Sequence, residues 1–198
     1  MVKRAFDILV SFVALLLLAP LLLIIALAVA IGSPGGAFFR QVRVGRDGVH
    51  FQLLKFRSMR PGSEAAGQIT VGGRDPRITG IGYALRKSKL DELPQLWNVL
   101  KGDMSLVGPR PEVPRYVALY TPEQREVLRV RPGISSAASI AYIDENEILG
   151  RSADPEHAYV EQVLPAKLAL DLAYVRRQGG LVHDLSILWR TFLRLFRS

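Results

Sequence analysis

The first forty residues contain the feature that most constrains how this chain can fold. After Lys3, Arg4 and Asp7, no charged side chain occurs over residues 8–39. A straight transmembrane helix needs about 20 apolar residues, so this run is long enough to enter a bilayer. The segment predicts a membrane anchor, and the rest of the chain has to fold beside it.

Three interpretations of this apolar run compete. A basic start, a leucine-rich core and Ala26-Leu27-Ala28 also resemble a secretory signal peptide, although signal cores are typically only about 7–15 residues long. A single straight span is the second interpretation. The third is a re-entrant helix-break-helix, because Pro20 lies near the middle and should kink the helix there. Basic residues flank both ends, which satisfies the positive-inside rule when both ends face the cytoplasm. The residues favour this third interpretation.

Charge and missing residue types restrict the function. A chain of 198 residues suits one domain plus an appendage, and its net charge of +8 indicates an anionic partner such as nucleic acid, anionic lipid or a phosphorylated substrate. With no cysteine, the chain has no disulfide, thiolate nucleophile or Cys-ligated zinc. We expect no nucleic-acid partner, because the positive charge is scattered through several motifs and no helix-turn-helix, RRM or zinc pattern occurs.

The remainder predicts an α+β domain that is mainly helical. Two strands rich in Phe and Val, over residues 38–44 and 49–56, flank Gly45-Arg46-Asp47-Gly48 and predict a β-hairpin. The segment over residues 102–114 contains three prolines and predicts an ordered loop. Helices are expected over residues 81–100, from the N-cap Thr121 onward, and over residues 164–177.

The C-terminal segment LSILWRTFLRLFRS has an amphipathic helical pattern. The apolar side comprises Leu185, Leu188, Trp189, Phe192 and Phe196, and the arginines Arg190, Arg194 and Arg197 lie largely on the other side. Such a helix suits the plane of an anionic membrane. An ordinary helix that caps a core has the same pattern, so both interpretations stay open.

The stretch LDELPQLWNVLKGDMSLVGPRP contains the candidate chemistry. Proline is tolerated in the first turn of a helix, so Pro94 predicts a helix that begins close to Leu90. Asp91 and Glu92 would then lie at the helix N-terminus, where the dipole stabilises carboxylates; acids there are also simply good helix starters. Two prolines restrict the backbone around Arg110, whose guanidinium suits a phosphate or a base edge, unless Pro-Arg-Pro is just a turn with a solvated arginine.

Several ordered motifs together resemble the bacterial sugar transferases, the monotopic polyprenyl-phosphate phosphoglycosyl transferases, in their small form. The resemblance covers roughly residues 3–174. The matching motifs are Lys3-Arg4 with Phe6-Asp7, Phe39-Arg40-Gln41 with Arg43-Val44-Gly45-Arg46-Asp47-Gly48, Lys55-Phe56-Arg57-Ser58-Met59, Asp75-Pro76-Arg77-Ile78-Thr79, residues 90–94 and residues 98–111.

The resemblance implies a membrane enzyme at the cytoplasmic face of the bacterial inner membrane. Such an enzyme moves a phospho-sugar from a UDP-sugar to a polyprenyl phosphate, typically undecaprenyl phosphate, and releases UMP. The implied catalytic pair is Asp91 and Glu92, with Mg²⁺ as the cofactor and Asp91 as the nucleophile of a covalent aspartyl intermediate. Both acids are candidate ligands of Mg²⁺, and the alternative role for Glu92 is to orient the site. The family's re-entrant helix breaks at a proline matched by Pro20, which implies a membrane hairpin over residues 1–36 and a catalytic domain over residues 37–198.

The implied reaction needs cations beside the acids. A carboxylate that attacks a pyrophosphate approaches a centre that is already anionic, so Mg²⁺ and basic side chains must offset the repulsion. The candidates are Arg86, Lys55 and Arg57. An aspartyl phosphate is a mixed anhydride, so it retains enough transfer potential to pass the phospho-sugar onward. By the same resemblance, Pro109, Arg110 and Pro111 contact the uridine part of the donor.

The chain departs from the family pattern at two places, and its composition is also compatible with a competing function. Lys89 stands where serine or threonine is common, which moves the expected helix cap to Ser88. Residues 135–140, SSAASI, also depart from the usual pattern, so the identity of the sugar does not transfer by analogy. The competing function is a non-enzymatic, membrane-anchored basic module that binds anionic lipid or a partner protein. An anchor in one leaflet also leaves room for a homodimer.

Overall fold

The computed structural model describes residues 2–67, 69–72, 75–177 and 180–195 of the chain. It is mainly helical, with a long apolar helix at its start and small β-sheets. The helices are α1 (Val2–Gly32), α2 (Gly80–Lys87), α3 (Gln95–Lys101), α4 (Pro114–Val117), α5 (Ala137–Ala141), α6 (Glu145–Gly150), α7 (Pro155–Ala158), α8 (Leu164–Arg177) and α9 (Gly180–Leu195). The strands are β1 (Phe38–Val44), β2 (His50–Phe56), β3 (Ser105–Val107) and β4 (Gly133–Ser135).

The predicted β-hairpin is confirmed. β1 and β2 are antiparallel, with Phe38 opposite Phe56 and Val44 opposite His50. The connection is a short 3-10 turn in which Asp47 has a φ of 57° and the following glycine is also left-handed. A Gly-containing turn of this kind lets the strands reverse at little steric cost, so the local sequence decides the register of the hairpin.

The proline-rich segment after α3 contains a strand that the sequence did not predict. β3 pairs in parallel with β4, so that Ser105 lies opposite Gly133 and Val107 opposite Ser135. The backbones approach so closely that a Cβ at Gly133 would lie 2.1 Å from the amide nitrogen of Gly108. The Pro-Arg-Pro segment therefore leaves β3 on a backbone that the parallel pair holds in place.

The beginning of α1 is bonded into the domain. Arg4 donates to the carbonyl oxygens of Val99 (2.6 Å) and Leu100 (2.9 Å), which lie in the last turn of α3. Asp7 is buried and accepts from the backbone N–H of Leu106 at 3.1 Å. Helix C-termini leave carbonyl groups without intrahelical partners. Arg4 supplies a donor to Leu100, and the carbonyl of Val99 accepts from both Arg4 and the amide of Gly102.

The other end of α1 contacts the same domain. Ile25 and Val29 are buried against Phe56 of β2 and Leu85 of α2. α1 is a single helical element with Pro20 inside it, so the break expected at Pro20 is not an interruption of the helix, and the re-entrant course stays a prediction. By length and composition, α1 is apolar enough to cross a membrane.

One side of α9 packs beside the beginning of α1, and the other side is exposed. Lys3 of α1 pairs with the buried Asp184 of α9, which also accepts from the hydroxyl of Tyr174 at 2.7 Å. The exposed large apolar residues of α9 are Val182, Leu185, Trp189, Phe192 and Leu193. Most of the apolar side predicted from the sequence therefore faces outward; Phe196 and Arg197 lie outside the described residues.

Two of the predicted helical segments have a different form from the one expected. The helical content expected over residues 81–100 consists of two helices, α2 and α3, separated by the turn that holds the acidic pair. The segment after Thr121 is a 3-10 helix, Gln124–Arg129, whose N-cap is Glu123 and not Thr121; Thr121 accepts from the amide of Gln124 at 3.2 Å in the turn before it. α8 has its predicted bounds, Leu164–Arg177, and Gly179, the expected stop, lies outside the described residues.

The close packing of α2 against the backbone that follows β2 can be tested at Gly82. A Cβ added there would lie 2.0 Å from the carbonyl oxygen of Ser58. Gly82→Ala must push α2 away from the backbone that follows β2, and we expect it to lower the free energy of unfolding by about 1–3 kcal/mol or more. Gly80→Ala is the matched control, since nothing lies within 4 Å of a Cβ at that position. Denaturant unfolding in neutral detergent measures both, and equal effects would contradict the close contact.

Candidate active site

The acidic pair lies in a turn between α2 and α3. Residues Leu90–Glu92 form a 3-10 helix, and Pro94 stands immediately before α3. The prediction that a helix begins close to Leu90 is confirmed in part: a 3-10 helix begins there, with both acids in its first turn. An α-helix starting at Leu90 would need an N–H at position 94 to donate to the carbonyl of Leu90, and proline has none, so α3 begins only at Gln95. The amide of Leu93 donates to that carbonyl instead, at 3.3 Å.

The residues that lead into this turn are also arranged differently from expectation. Lys89 has a φ of 57°, a left-handed conformation that is uncommon for a side chain other than glycine. Ser88 does not cap α3, because its hydroxyl donates to the carbonyl of Ala84 at 2.8 Å in the last turn of α2. The backbone bends sharply at Lys89, and the acidic pair follows this bend directly after the end of α2.

Asp91 is buried and carries an unpaired oxygen. Asp91 is only 5% exposed, and its Oδ1 has no hydrogen-bond partner among the described residues. Burial raises the pKa of Asp91, against the opposing effect of Lys55 and with the help of the neighbouring Glu92. Buried polar atoms nearly always have a partner, so this oxygen is a place where a ligand or a metal ion would be accommodated.

Glu92 is held by two cations. Its Oε1 accepts from Lys55 Nζ at 2.9 Å and from Arg110 Nη2 at 2.6 Å, and its Oε2 accepts from Arg110 Nη1 at 3.3 Å. Burial opposes ionisation, but Arg110 and Lys55 outweigh it and hold the pKa of Glu92 well below its usual range. The pKa values of Asp91 and Glu92 are thus pushed in opposite directions, which is typical of two carboxyl groups with different roles.

The acidic pair faces a cavity of about 930 Å³. Among the described residues that line it, cationic side chains outnumber carboxylates by about two to one. A concave site with a positive wall raises the local concentration of anions and binds them in low dielectric. The cavity therefore suits a negatively charged ligand of substantial size next to Asp91.

The three predicted phosphate-binding cations line this cavity but have different surroundings. Lys55 is bonded to Glu92, and Arg86 lies close enough to Asp91 to favour its ionised form. Arg57 donates to backbone carbonyls of the connection between α1 and β1, including that of Phe38 at 2.9 Å. The structure brings Lys55 and Arg86 to the acids, whereas Arg57 supports the connection from the membrane helix.

The three residues of the Pro-Arg-Pro segment differ in their access to the large cavity. All three line a small cavity, whereas only Arg110 also lines the large one; Pro109 and Pro111 are buried. Asp171 of α8 accepts from the backbone N–H of Arg110 at 3.2 Å. Arg110 is therefore not the solvated arginine of a plain turn, because both its backbone and its guanidinium are bonded, and contact of the segment with uridine stays a prediction.

Sequence reasoning missed a second buried polar cluster in the wall of the cavity. Glu112 accepts from the hydroxyl of Tyr159 at 2.7 Å and from Arg43 at 3.3 Å. Lys167 lies 3.9 Å from Glu112 and pairs with Glu145 at 2.6 Å. A signal was present in α8: positions 164, 167, 168, 171 and 172 form its buried stripe, and two of these five are charged.

Comparison with known proteins places the chain in a family. The profile of the family described as bacterial sugar transferase matches residues 1–198. The chain belongs to the bacterial sugar transferase family, and the resemblance stated from its motifs is confirmed.

Relatives with assigned activities support this placement. The chain is 37% identical to the UDP-glucose:undecaprenyl-phosphate glucose-1-phosphate transferase of Caulobacter vibrioides, over 96% of this chain and 67% of the relative. It is 35% identical to a protein of the same name from Escherichia coli, over 99% of this chain but only 40% of the relative. It is 40% identical to the exopolysaccharide production protein PSS of Rhizobium leguminosarum, over 96% of this chain and 92% of the relative.

The acidic pair fits a magnesium ion only in part. Within the described residues, no group of three or more His, Cys, Asp or Glu side chains could hold a metal by itself. Mg²⁺ is usually bound by one or two carboxylates together with substrate phosphates and water. The unpaired Oδ1 of Asp91 is a suitable ligand, while the oxygens of Glu92 are already engaged by Lys55 and Arg110. The donors fit a Mg²⁺ ion that is shared with a phosphate ligand.

The support of Arg110 by Asp171 predicts a pH effect. Burial raises the pKa of Asp171 to about 7, above the value of about 3.9 expected in the unfolded chain. Stability from this group is therefore fully present below about pH 4 and is lost as the pH rises to about 7. Asp171→Asn keeps an oxygen that can accept from Arg110 but does not titrate, so its free energy of unfolding should fall less across this range.

Denaturant unfolding at several pH values between 4 and 7 tests this effect. Asp47→Asn, the same chemical change in the exposed hairpin turn, is the control and should follow the wild-type pH dependence. If Asp171→Asn also runs parallel to the wild type, the buried carboxyl does not titrate in this range.

Proposed function

We propose that this protein transfers a phospho-sugar from a UDP-sugar to a polyprenyl phosphate, undecaprenyl phosphate in bacteria, and releases UMP. The observation that carries the proposal is Asp91, a buried carboxyl group with an unpaired oxygen beside a large cationic cavity. Membership of the bacterial sugar transferase family and the printed activities of the relatives support the same reaction. The reaction is the first membrane step in the assembly of a glycoconjugate.

Two displacements at one phosphorus describe the reaction. In the first, an oxygen of the Asp91 carboxylate forms a bond to the β-phosphorus of the donor, and the bond from that phosphorus to the UMP oxygen breaks. In the second, a phosphate oxygen of the acceptor attacks the same phosphorus and the Asp91 carboxylate leaves. The cations Lys55, Arg86 and Lys89 favour the ionised form of Asp91 that the first step needs.

Glu92 has a supporting role in this proposal. Because it is ionised and bonded to both Lys55 and Arg110, it holds these two cations at the cavity wall. Cations fixed in this way offset the charge of the pyrophosphate and of the departing UMP without reorganisation during the reaction. Mg²⁺ would be held by Asp91 together with the donor phosphates and would supply further neutralisation of that charge; Glu92 could join it only by giving up a bond to Lys55 or Arg110.

The position of α1 supports a re-entrant anchor at the cytoplasmic face of the inner membrane. Both ends of α1 are bonded or packed onto one domain, through Arg4 and Asp7 at the start and Ile25 and Val29 near the end. A helix that crossed the bilayer would carry its ends about 30 Å apart along the membrane normal. Ends that meet the same domain, with an exposed apolar middle around Pro20, suit a helix that enters and leaves by one leaflet.

The nucleophile is tested by comparing wild type with Asp91→Asn and Glu92→Gln. With undecaprenyl phosphate, Mg²⁺ and a panel of UDP-sugars, wild type should release UMP and form a covalent adduct on Asp91. Asp91→Asn should lose at least about 10³-fold in rate and form no adduct, because the attacking atom is gone. Glu92→Gln should form adduct slowly, because its cations lose their anchor, and Asp47→Asn should match wild type.

Different failures of this assay point to different errors. Full activity of Asp91→Asn would remove Asp91 from the mechanism. No UMP and no adduct in wild type, even with nucleotide sugars extracted from cells, would favour the alternative of a non-enzymatic, membrane-anchored basic module that binds anionic lipid or a partner protein. A scaffold of that kind should keep its lipid or partner binding in Asp91→Asn.

Single cysteines test the topology, because the chain has none of its own. We expect Val2→Cys and Val49→Cys, both at exposed positions, to react with an impermeant maleimide in inverted inner-membrane vesicles and not in intact cells. Leu17→Cys, in the exposed apolar middle of α1, should be protected by lipid. Labelling of Val2→Cys and Val49→Cys from opposite sides would rule out the re-entrant anchor.

A further inference from the structure

α9 is both a wall of the catalytic cavity and a surface helix with an apolar face. Thr191 and Arg194 line the cavity that contains Asp91. On the same helix, Val182 is 81% exposed and Trp189 is 61% exposed. A large exposed apolar strip on a helix with basic residues is typical of a segment that lies in a membrane interface. α9 therefore connects a lipid-type surface with the interior of the site.

Apolar residues continue this surface into the cavity. Ile134 and Ile140 line the cavity and pack with Leu188 of α9 in one cluster around the buried Ile187. The phosphate-binding wall described above is built from different elements: β2 supplies Lys55, and α2 and the Pro-Arg-Pro segment supply its other cations. The cavity thus has a cationic side near β2 and α2 and a partly apolar side near α9.

Arg194 lines the cavity from α9, and its charge is held only weakly. Its partner is Asp144 at 3.5 Å, and the two side chains are 47% and 62% exposed. Exposed ion pairs contribute only about 0–1 kcal/mol. Arg110, by contrast, shares Glu92 with Lys55 in a bonded and more buried group. The guanidinium of Arg194 can therefore turn from Asp144 to a phosphate at little cost.

We propose that Arg194 binds the phosphate of the lipid acceptor and that the acceptor's chain leaves the cavity past Ile134 and Ile140 toward the exposed apolar residues of α9. This inference rests on the proposed function, in which the acceptor is a phosphate monoester on a long apolar chain. The site for such a molecule has to join the bilayer to the cavity that contains Asp91, and α9 has residues of both kinds: Arg194 lines the cavity, and Trp189 is exposed. Arginine matches phosphate in charge and in hydrogen-bond geometry, and the donor's phosphates use cations on other elements.

The proposal separates the two halves of the reaction. The first half needs only the donor and yields a burst of UMP that is stoichiometric with enzyme. Arg194→Gln should give this burst at a rate within about twofold of wild type. Its apparent KM for polyprenyl phosphate in neutral detergent micelles should rise about tenfold or more. Its KM for the UDP-sugar should be unchanged. Arg194→Lys should recover part of the loss, because it restores the charge.

Arg190→Gln is the matched control, since Arg190 lies one turn earlier on α9, is exposed and does not line the cavity. It should leave the KM for the acceptor unchanged. A direct binding measurement needs no catalysis: polyprenyl phosphate added without donor should change the fluorescence of Trp189, and the dissociation constant should be about tenfold weaker in Arg194→Gln than in wild type.

Several results would overturn the inference. A reduced UMP burst in Arg194→Gln would place Arg194 in the donor step, and an unchanged KM and dissociation constant for the acceptor would remove it from acceptor binding. Equal losses in Arg190→Gln and Arg194→Gln, matched by weaker binding to vesicles of anionic phospholipid, would mean a general attraction to the membrane surface. If wild type binds the acceptor through Arg194 but forms no UMP and no adduct, the proposed reaction fails while the acceptor site stands.

Discussion

The arrangement of the site depends on one partly buried ionic group, in which the carboxylate of Glu92 lies between Lys55 and Arg110. Withdrawing any of these charges from water alone would be costly, and removing one partner leaves the others uncompensated. The group ties together β2, the acidic turn and the segment that follows β3. Lys55 and Arg110 pair with Glu92 and not with Asp91. The neighbouring Asp91 is therefore buried with an unpaired oxygen, which is available for a different role.

The membrane helix is part of the same construction. Arg4 satisfies carbonyl groups at the end of α3, and Asp7 accepts from the backbone of β3. In the sequence, Arg4 and Asp7 belonged to a motif shared with the family, and Arg4 also bore on the orientation of the apolar segment. The apolar helix α1 thus also supports the strand that leads to Arg110.

Local features of the fold could be predicted, and contacts between distant segments could not. The β-hairpin follows from a Gly-containing turn between two strands, and α8 follows from its periodicity. The pairing of Ser105 with Gly133 and the bond from Tyr159 to Glu112 join residues far apart in sequence, so no local pattern announces them. The helical start at Leu90 followed from Pro94, but its 3-10 form was not predicted; it arises because Pro94 lacks the N–H that an α-helix from Leu90 needs.

The sequence by itself determined the apolar anchor, the acidic pair, the basic residues around it and, through its ordered motifs, membership of the family. These are properties of residue type and spacing, which no folding is needed to express. Only the tertiary structure decided that Glu92 takes both cations while Asp91 keeps a free oxygen, that both ends of α1 meet one domain, and that α9 turns an apolar face outward. Desolvation and charge pairing depend on distances in space, and those distances exist only once the chain has folded.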